Sequence, residues 1–203
     1  MLFRSRQRLP ALEQEAAGAG FQRAPHLGIA TESIAAIDGL ITLPCYQWEH
    51  VVVVPPDHPL LRIKSVTLEE VAEHHIITYD AAFAGRSRID QAFEKRGLKP
   101  DVLLEAIDAD VIKTYVELGM GIGIIAGMAF DPERDRNLRA IPAGHLFGMN
   151  VSRVAVKQGA YLRSYIYTFI ELLAPTLNRK LIEQAKVPAQ PDKGVFHGWI
   201  SNS

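Results

Sequence analysis

The chain lacks most of the features that mark specialised protein classes. Cys45 is the single cysteine among 203 residues, which excludes an internal disulfide and favours a reducing compartment. The 22 lysine and arginine residues balance 23 aspartate and glutamate residues, so the net charge of -1 gives no broad attraction to nucleic acid or membranes. No apolar run reaches the roughly 20 residues that span a bilayer, and no secretory signal is evident. We expect a cytoplasmic globular protein.

The stretch from Asp108 to Gly127 carries the strongest structural pattern. Asp108 is suited to cap a helix N-terminus, and the apolar residues that follow recur every three or four positions. Gly119 predicts the end of this helix, and a β-branched run from Ile122 to Ile125 predicts a buried strand. This order indicates an α/β protein in which a helix leads into a central parallel strand.

Gly119, Gly121 and Gly123 superficially resemble a phosphate-binding loop. A dinucleotide-binding loop needs a strand before its glycines and a helix after them, whereas here the helix comes first. We therefore interpret these glycines as structural and predict no nucleotide cofactor.

The rest of the chain alternates between strand and helix patterns. Residues 1–26 and 188–203 show neither pattern and are expected to be poorly ordered. Capping boxes are predicted at Thr67 with Glu70 and at Ser87 with Asp90, and the region from Ile76 to Ala126 predicts a βαβαβ unit with right-handed crossovers. The further strands predicted are Leu27–Ala30, His50–Val54, Leu138–Ile141 and Val151–Lys157, and the further helices are Tyr161–Leu177 and a stretch from Asn178 to about Val187.

Catalytic and metal-binding patterns are not evident. His74 and His75 are adjacent, so their side chains diverge, and no other ligand cluster accompanies them. Asp108 and Asp110 are better explained by a helix start than by acid–base chemistry. We predict no metal, no cofactor and no enzymatic activity.

Two short segments are candidates for holding a small anion. Thr31, Glu32 and Ser33 follow a strand, and ligands of open α/β sheets bind just outside the carboxyl ends of strands. Gly85, Arg86 and Ser87 lie where a strand passes into a helix, so free N–H groups, a guanidinium and a hydroxyl are available there. The alternatives are that Thr31 or Ser33 starts a turn or a short helix, and that the second segment is a helix cap beside a solvated arginine.

Strands on both sides of the βαβαβ unit suggest two lobes. We assign residues 27–76 plus 148–187 to lobe I and residues 77–147 to lobe II, with crossing segments near Ile76 and near Gly144 to Val151. A cleft between two such lobes is a natural site for a small molecule, with lobe closure as the response.

The chain resembles the effector-binding domain of LysR-type transcription regulators, and most closely the CysB and Cbl branch that controls sulfur assimilation. The segments that carry the resemblance are IATES (29–33), LPCYQWEHVVVVPPDHPL (43–60), FAGRSRID (83–90), DADVIKTYVELGMGIGIIAGMAFDP (108–132) and YLRSYIYTFIELLAP (161–175). Together they cover about residues 27–187.

The resemblance implies a periplasmic-binding-protein-like fold of two parallel-sheet lobes with an inter-lobe effector cleft. It also implies an effector such as O-acetylserine, N-acetylserine, sulfate or thiosulfate. By position, Thr31 matches the pocket threonine of the first lobe, and Gly85, Arg86 and Ser87 match the loop of the second lobe. Ala84 stands where relatives have a threonine, so one expected hydroxyl is absent.

The family begins with a winged helix-turn-helix and a long linker helix, and the first strand of its effector domain normally carries the motif Thr-Thr-His-Thr-Gln-Ala-Arg-Tyr. None of these matches residues 1–26. We therefore expect a truncated regulator with an incomplete first lobe, which would meet promoter DNA only through a helix-turn-helix outside this chain. Dimerisation through a lobe face is plausible by resemblance. The alternatives are a solute-binding protein or a non-catalytic remnant of the same fold.

Overall fold

The computed structural model describes residues 27–31, 38–81 and 85–186 as a mixed α/β structure. Its strands are β1 (Leu27–Ala30), β2 (Leu40–Val54), β3 (Ile76–Tyr79), β4 (Val102–Ala106), β5 (Ile122–Ala126), β6 (Arg139–Pro142) and β7 (Met149–Lys157). Its helices are α1 (Leu68–Ala72), α2 (Arg86–Lys95), α3 (Ala109–Glu117), α4 (Gly144–Phe147), α5 (Ser164–Leu173) and α6 (Arg179–Lys186), with short 3-10 turns at Pro59–Arg62 and Gly127–Ala129. No described helix is both long and apolar enough to cross a membrane.

The 15-residue strand β2 connects two groups of strands because it changes partners along its length. Its residues from Leu40 to Glu49 pair with β7, and its residues from His50 to Val54 pair with β5 and β6. We use lobe I for β1, β7, the first part of β2 and helices α5 and α6. Lobe II comprises the second part of β2, strands β3 to β6 and helices α1 to α4.

Lobe II contains the parallel unit that the sequence predicts. Strand β3 lies between β4 and β5 and is parallel to both, and the strand order continues from β5 to β2. Asp108 Oδ1 accepts a hydrogen bond of 2.9 Å from the N–H of Val111 at the start of α3, and Gly119 has a φ of +75° after its end. The predicted helix and the buried strand β5 are therefore both confirmed.

The predicted capping box at Thr67 is also confirmed. Thr67 Oγ1 accepts from the N–H of Glu70 at 3.2 Å, and Glu70 Oε2 accepts from the N–H of Thr67 at 2.8 Å. The later helix predicted from Tyr161 to Leu177 is shorter than expected and ends at Leu173. Ala174 leaves the helical conformation with φ -141°, ψ 89°, because the residue before a proline is disfavoured in the helical region.

A parallel sheet was predicted for both lobes, and neither lobe is purely parallel. In lobe II, β2 pairs with β5 and β6 in antiparallel orientation. In lobe I, β1 pairs with β7, and β7 pairs with β2, and both pairings are antiparallel. The reason is topological. β2 carries the chain from lobe I into lobe II and β7 carries it back, so the two neighbouring strands run in opposite directions.

The first crossing lies within β2 and not near Ile76. Val52 and Val54 share a buried core with Leu68, Val71 and Ile76, which groups the segment from His50 to Ala72 with lobe II. The sequence pattern had predicted this segment in lobe I. The difference arises because the apolar pattern of a long strand does not show where its neighbours change.

The predictions for residues 1–26 and 188–203, and for Glu32, Ser33 and Ala84, lie outside the described residues.

Candidate functional site

The junction between the lobes is formed by the neighbouring strands β2 and β7. Trp48 Nε1 donates to Ser152 Oγ at 3.1 Å, and the Asn150 side-chain nitrogen lies 3.4 Å from His50 Nδ1. Ser152, Asn150 and His50 are all buried. Two pairs of polar side chains therefore connect the crossing strands at the point where the chain passes between the lobes.

The N-terminus of α2 rests directly on this junction. Gly85 precedes the helix with φ +95°, a left-handed conformation that favours glycine, and no side chain caps the helix. A Cβ at this position would lie 2.9 Å from Trp48 Cη2 and 3.1 Å from His50 Nε2. Glycine therefore allows the first turn of α2, with its unpaired N–H groups, to approach β2 closely.

The capping box predicted at Ser87 and Asp90 is wrong. The helix begins at Arg86, so Ser87 lies inside the first turn with an exposed side chain. Asp90 lies four residues after Arg86 and accepts a hydrogen bond of 2.8 Å from its Nε. The left-handed Gly85 sets the helix start two residues earlier than the serine pattern suggests.

Arg86 is turned into the protein and is not a solvated cation. Its side chain is 8% exposed, and Nη1 donates to the carbonyl oxygen of Tyr79 at 2.5 Å and to Glu105 Oε1 at 2.7 Å. Burial alone would lower the pKa of this guanidinium, but the hydrogen bonds with Asp90 and Glu105 outweigh it and raise the pKa above its usual value. Arg86 thus joins the first turn of α2 to strands β3 and β4.

His50 lies beneath the same helix start. Its side chain is fully buried. The rings of Trp48 and Phe147 make T-shaped contacts with the imidazole, at centroid distances of 5.1 and 5.6 Å. Burial, with a smaller contribution from the positive charge of Arg88, lowers the pKa of His50 to about 4. The imidazole is therefore neutral at physiological pH.

Thr31 lies on the other lobe, directly after β1. Ala30, the residue before it, is the cross-strand partner of Arg153, so the end of β1 is directed toward the junction end of β7. The Thr31 side chain is half-buried, and its hydroxyl makes no hydrogen bond with another described residue. The structure thus places Thr31 on lobe I, and Gly85, Arg86 and Ser87 on lobe II above the crossing strands.

Trp48, His50, Asn150 and Ser152 were not identified from the sequence as site residues. One signal was present, because His50 is a polar residue at the head of a run of four valines. Trp48 and Ser152 gave no such signal, since their contact joins residues that are 104 positions apart.

A surface cavity between α1, α2 and α4 is lined in part by Thr67, Gln91, Lys95 and His145. Neither Gly85, Arg86, Ser87 nor Thr31 lines this cavity. This cavity therefore does not contain the described residues that the sequence predicts for the effector site.

This architecture is that of a known protein family. A family model described as the LysR substrate binding domain matches residues 20–178. The chain belongs to the LysR substrate-binding domain family. The resemblance inferred from the sequence is confirmed.

Among the relatives of this LysR domain is the HTH-type transcriptional regulator CysB of Burkholderia cenocepacia. It is 69% identical over 159 residues, which are 78% of this chain and 51% of that protein. The regulator SsuR of the same organism is 57% identical over 75% of this chain and 49% of that protein. The regulator cbl of Escherichia coli is 42% identical over 72% of this chain and 46% of that protein. The chain thus spans about half the length of these relatives.

Solved structures agree with the sequence relatives. The cofactor-binding domain of the Cbl transcriptional regulator superposes with a TM-score of 0.75 at 36% identity, covering 91% of this chain and 78% of that one. The effector-binding domain of QuiR, in complex with shikimate, superposes with a TM-score of 0.67 at 17% identity, covering 82% of this chain and 77% of that one. At this low identity, the similarity is evidence for the fold only. The periplasmic-binding-protein-like fold is confirmed, and the relatives are transcriptional regulators, in agreement with the prediction of no enzymatic activity.

Proposed function

We propose that this LysR domain is the effector sensor of a transcription regulator of sulfur assimilation and cysteine biosynthesis. The effector is O-acetylserine, N-acetylserine, sulfate or thiosulfate, bound between the lobes. The observation that carries the proposal is the placement of the uncapped N-terminus of α2 on the crossing strands at the lobe junction. The relatives named CysB and cbl support the link to sulfur metabolism.

The chemistry of the proposed site suits an anion. The first turn of α2 leaves N–H groups without intrahelical partners, and the helix dipole favours negative charge there. Gly85, Arg86 and Ser87 contribute these N–H groups, and Ser87 adds a hydroxyl. From lobe I, Thr31 contributes its hydroxyl, and Glu32 contributes its backbone N–H, because its carboxylate would repel an anion.

In this proposal, Arg86 acts mainly by positioning the helix start. Its guanidinium is occupied by Asp90, Glu105 and the carbonyl of Tyr79, so little of its charge faces a ligand. Removal of Arg86 would release the first turn of α2 and thereby disturb the N–H groups that bind the anion.

Sensing follows from the position of the ligand between two lobes. A ligand that contacts Thr31 on lobe I and the first turn of α2 on lobe II binds best when the lobes are close together, so it shifts the population toward the closed arrangement. The crossing strands β2 and β7 are the elements that must bend.

The proposal for the whole regulator extends beyond this chain. A helix-turn-helix outside the chain would contact promoter DNA, the subunits would form a homo-oligomer, and the protein would act in the cytoplasm. The name of the CysB relative, an HTH-type transcriptional regulator, supports the first of these points.

Thermal unfolding of the purified chain, with and without each of the four effectors in excess, tests the function. A ligand that binds only the folded state raises the free energy of unfolding by about 2.7 kcal/mol at 100 times its Kd. We expect at least one effector to raise the Tm and Thr31→Ala and Ser87→Ala to reduce that increase. A cooperative transition that none of the four effectors moves would reject the proposal.

Thr176→Ala supplies the matched control, because Thr176 is exposed and follows α5 on a different part of lobe I. This variant should show the same Tm increase as the wild type. If it lost the increase as well, the effect of the Thr31 and Ser87 substitutions could not be assigned to the junction.

A further inference from the structure

His50 carries a buried polar atom that has no hydrogen-bond partner in the part of the chain that the structure describes. Its Nε2 is fully buried and makes no hydrogen bond with a described residue. Buried polar groups are nearly always hydrogen-bonded, and an exception in a native structure points to a ligand, a water or a functional role. This exception lies at the lobe junction, directly beneath the first turn of α2.

The contact of the other ring nitrogen indicates the tautomer of His50. With the Asn150 amide assigned so that its nitrogen lies 3.4 Å from Nδ1, the amide donates and Nδ1 is the acceptor. A neutral imidazole carries one proton, which must then reside on Nε2. The unpartnered atom is therefore a hydrogen-bond donor.

This donor faces the helix start. A Cβ built at Gly85 would lie only 3.1 Å from Nε2, so no side chain separates the imidazole from the backbone that opens α2. The T-shaped contacts with Trp48 and Phe147 hold the ring in this orientation. Two independent sources of donors, the uncapped helix and the imidazole, thus converge on one place.

We propose that His50 is a specificity-determining residue whose Nε2–H donates to an oxygen of the anionic group of the effector, together with the N–H groups at the start of α2. The inference rests on the proposed function and adds to it a residue from the crossing strand. The ligand class is an oxyanion that only accepts hydrogen bonds at this position, such as a sulfate, thiosulfate or carboxylate group. A ligand group that itself carries a hydrogen-bond donor at this position would face the Nε2–H of His50, and this pairing of two donors would disfavour its binding.

Isothermal titration of the whole chain with sulfate, thiosulfate and O-acetylserine at pH 7.5 tests this role. His50→Phe keeps an aromatic ring but removes the donor, and we expect it to weaken binding by about tenfold or more. His50→Gln places an amide N–H at a similar reach and should recover part of the loss. His75→Gln is the control, because His75 is exposed and precedes β3 at the end away from Tyr79 and α2. This variant should bind the probes as tightly as the wild type does.

A measurement on the unmodified chain removes the dependence on how the variants fold. Nitrogen-15 NMR of the histidine side chains should show a proton on Nε2 of His50, and the resonance of that proton should move downfield when the binding probe saturates the protein.

The outcomes are distinguishable. If the wild type binds a probe but His50→Phe binds it equally well, or the Nε2 resonance does not move, the role of His50 is rejected while the proposed function stands. A wild type that binds none of the three probes, and that N-acetylserine does not stabilise in thermal unfolding, rejects both. Weaker binding by a folded His50→Phe, with partial recovery in His50→Gln, supports the inference.

Discussion

Arg86 and Glu105 form an ion pair of 2.7 Å that joins the first turn of α2 to strand β4. The arginine is buried, whereas the glutamate is 41% exposed, so the pair is only partly shielded from solvent. Together with the hydrogen bonds to Asp90 and Tyr79, it holds the helix start over the lobe junction. The stability of lobe II and the geometry of the proposed anion site therefore depend on the same guanidinium.

Replacement of Arg86 by methionine should lower the free energy of unfolding by about 2 kcal/mol. Loss of one partner from a fully buried pair costs about 3–5 kcal/mol, and the exposure of Glu105 and Asp90 reduces that value because both carboxylates can be hydrated. Urea unfolding measures the change. Arg96→Met is the control, because Arg96 is 67% exposed and 3.7 Å from Glu69, and a change within about 0.5 kcal/mol is expected. Equal effects of both substitutions would contradict the structural role of Arg86.

Substitution of Gly85 by alanine should cost more than substitution of Gly97. Both glycines have a positive φ, +95° and +69°, so both alanine variants bear backbone strain of about 1 kcal/mol or more. A Cβ at position 85 would lie 2.9 Å from a ring carbon of Trp48. A Cβ at position 97 would have no described atom within 4 Å. We expect an additional loss of about 1–2 kcal/mol for Gly85→Ala.

Urea unfolding of the two alanine variants, side by side, isolates the contact from the strain. Gly85→Ala should also abolish any Tm increase by an effector, because the helix start would be displaced from the junction. Indistinguishable unfolding free energies would show that the close approach of Gly85 to Trp48 is unimportant.

His50 should make the protein less stable in mild acid. Its pKa is about 4 in the folded state and near 6.5 in the unfolded chain, so between these values the unfolded state binds the additional proton. The free energy of unfolding then falls as the pH decreases from about 6.5 to 4, by up to about 3 kcal/mol from this group alone, and the contribution does not change further below pH 4.

Comparison of the wild type with His50→Phe by urea unfolding between pH 4 and pH 7.5 tests this pH dependence. Carboxylates contribute alike to both proteins, so the difference reports His50. We expect the variant to lose less stability across this window. Parallel curves would show that His50 titrates normally.

Asp135 and Asp110 should differ in their contribution to stability although both bind the same ammonium group. Lys113 Nζ lies 3.0 Å from a carboxylate oxygen of each, but the Asp135 side chain is 11% exposed and that of Asp110 is 91% exposed. Asp135 also accepts from the N–H of Asp131 at 2.9 Å. We expect Asp135→Asn to cost about 2 kcal/mol and Asp110→Asn less than about 0.5 kcal/mol in thermal unfolding. A larger effect of Asp110→Asn would contradict this assignment.

The features that the sequence predicted well depend on neighbours within a few residues. The cap at Asp108, the reciprocal hydrogen bonds of Thr67 and Glu70, and the left-handed Gly119 each involve groups separated by three residues or fewer. Their physical causes, unpaired helix N–H groups and steric freedom of glycine, are present in the local sequence.

The features that were missed depend on distant contacts. Ser87 looked like a helix cap because its spacing to Asp90 was correct, but the position of Gly85 against Trp48 and His50, about 35 residues earlier, decides where the helix starts. Arg86 looked like a free cation because Glu105, its partner on β4, is 19 positions away. The exchange of partners along β2 is not visible locally, since the strand continues from Leu40 to Val54 across the point where its neighbours change.

The antiparallel crossing of β2 and β7 has a consequence for how the chain is assembled. Glu49 and Met149 are cross-strand partners, so the segment between them leaves and re-enters lobe I at adjacent positions, about 5 Å apart. A segment with such closely spaced ends can be cut out and its ends joined by a short turn. Lobe II could therefore be exchanged for the corresponding lobe of a related regulator without lengthening the backbone that remains.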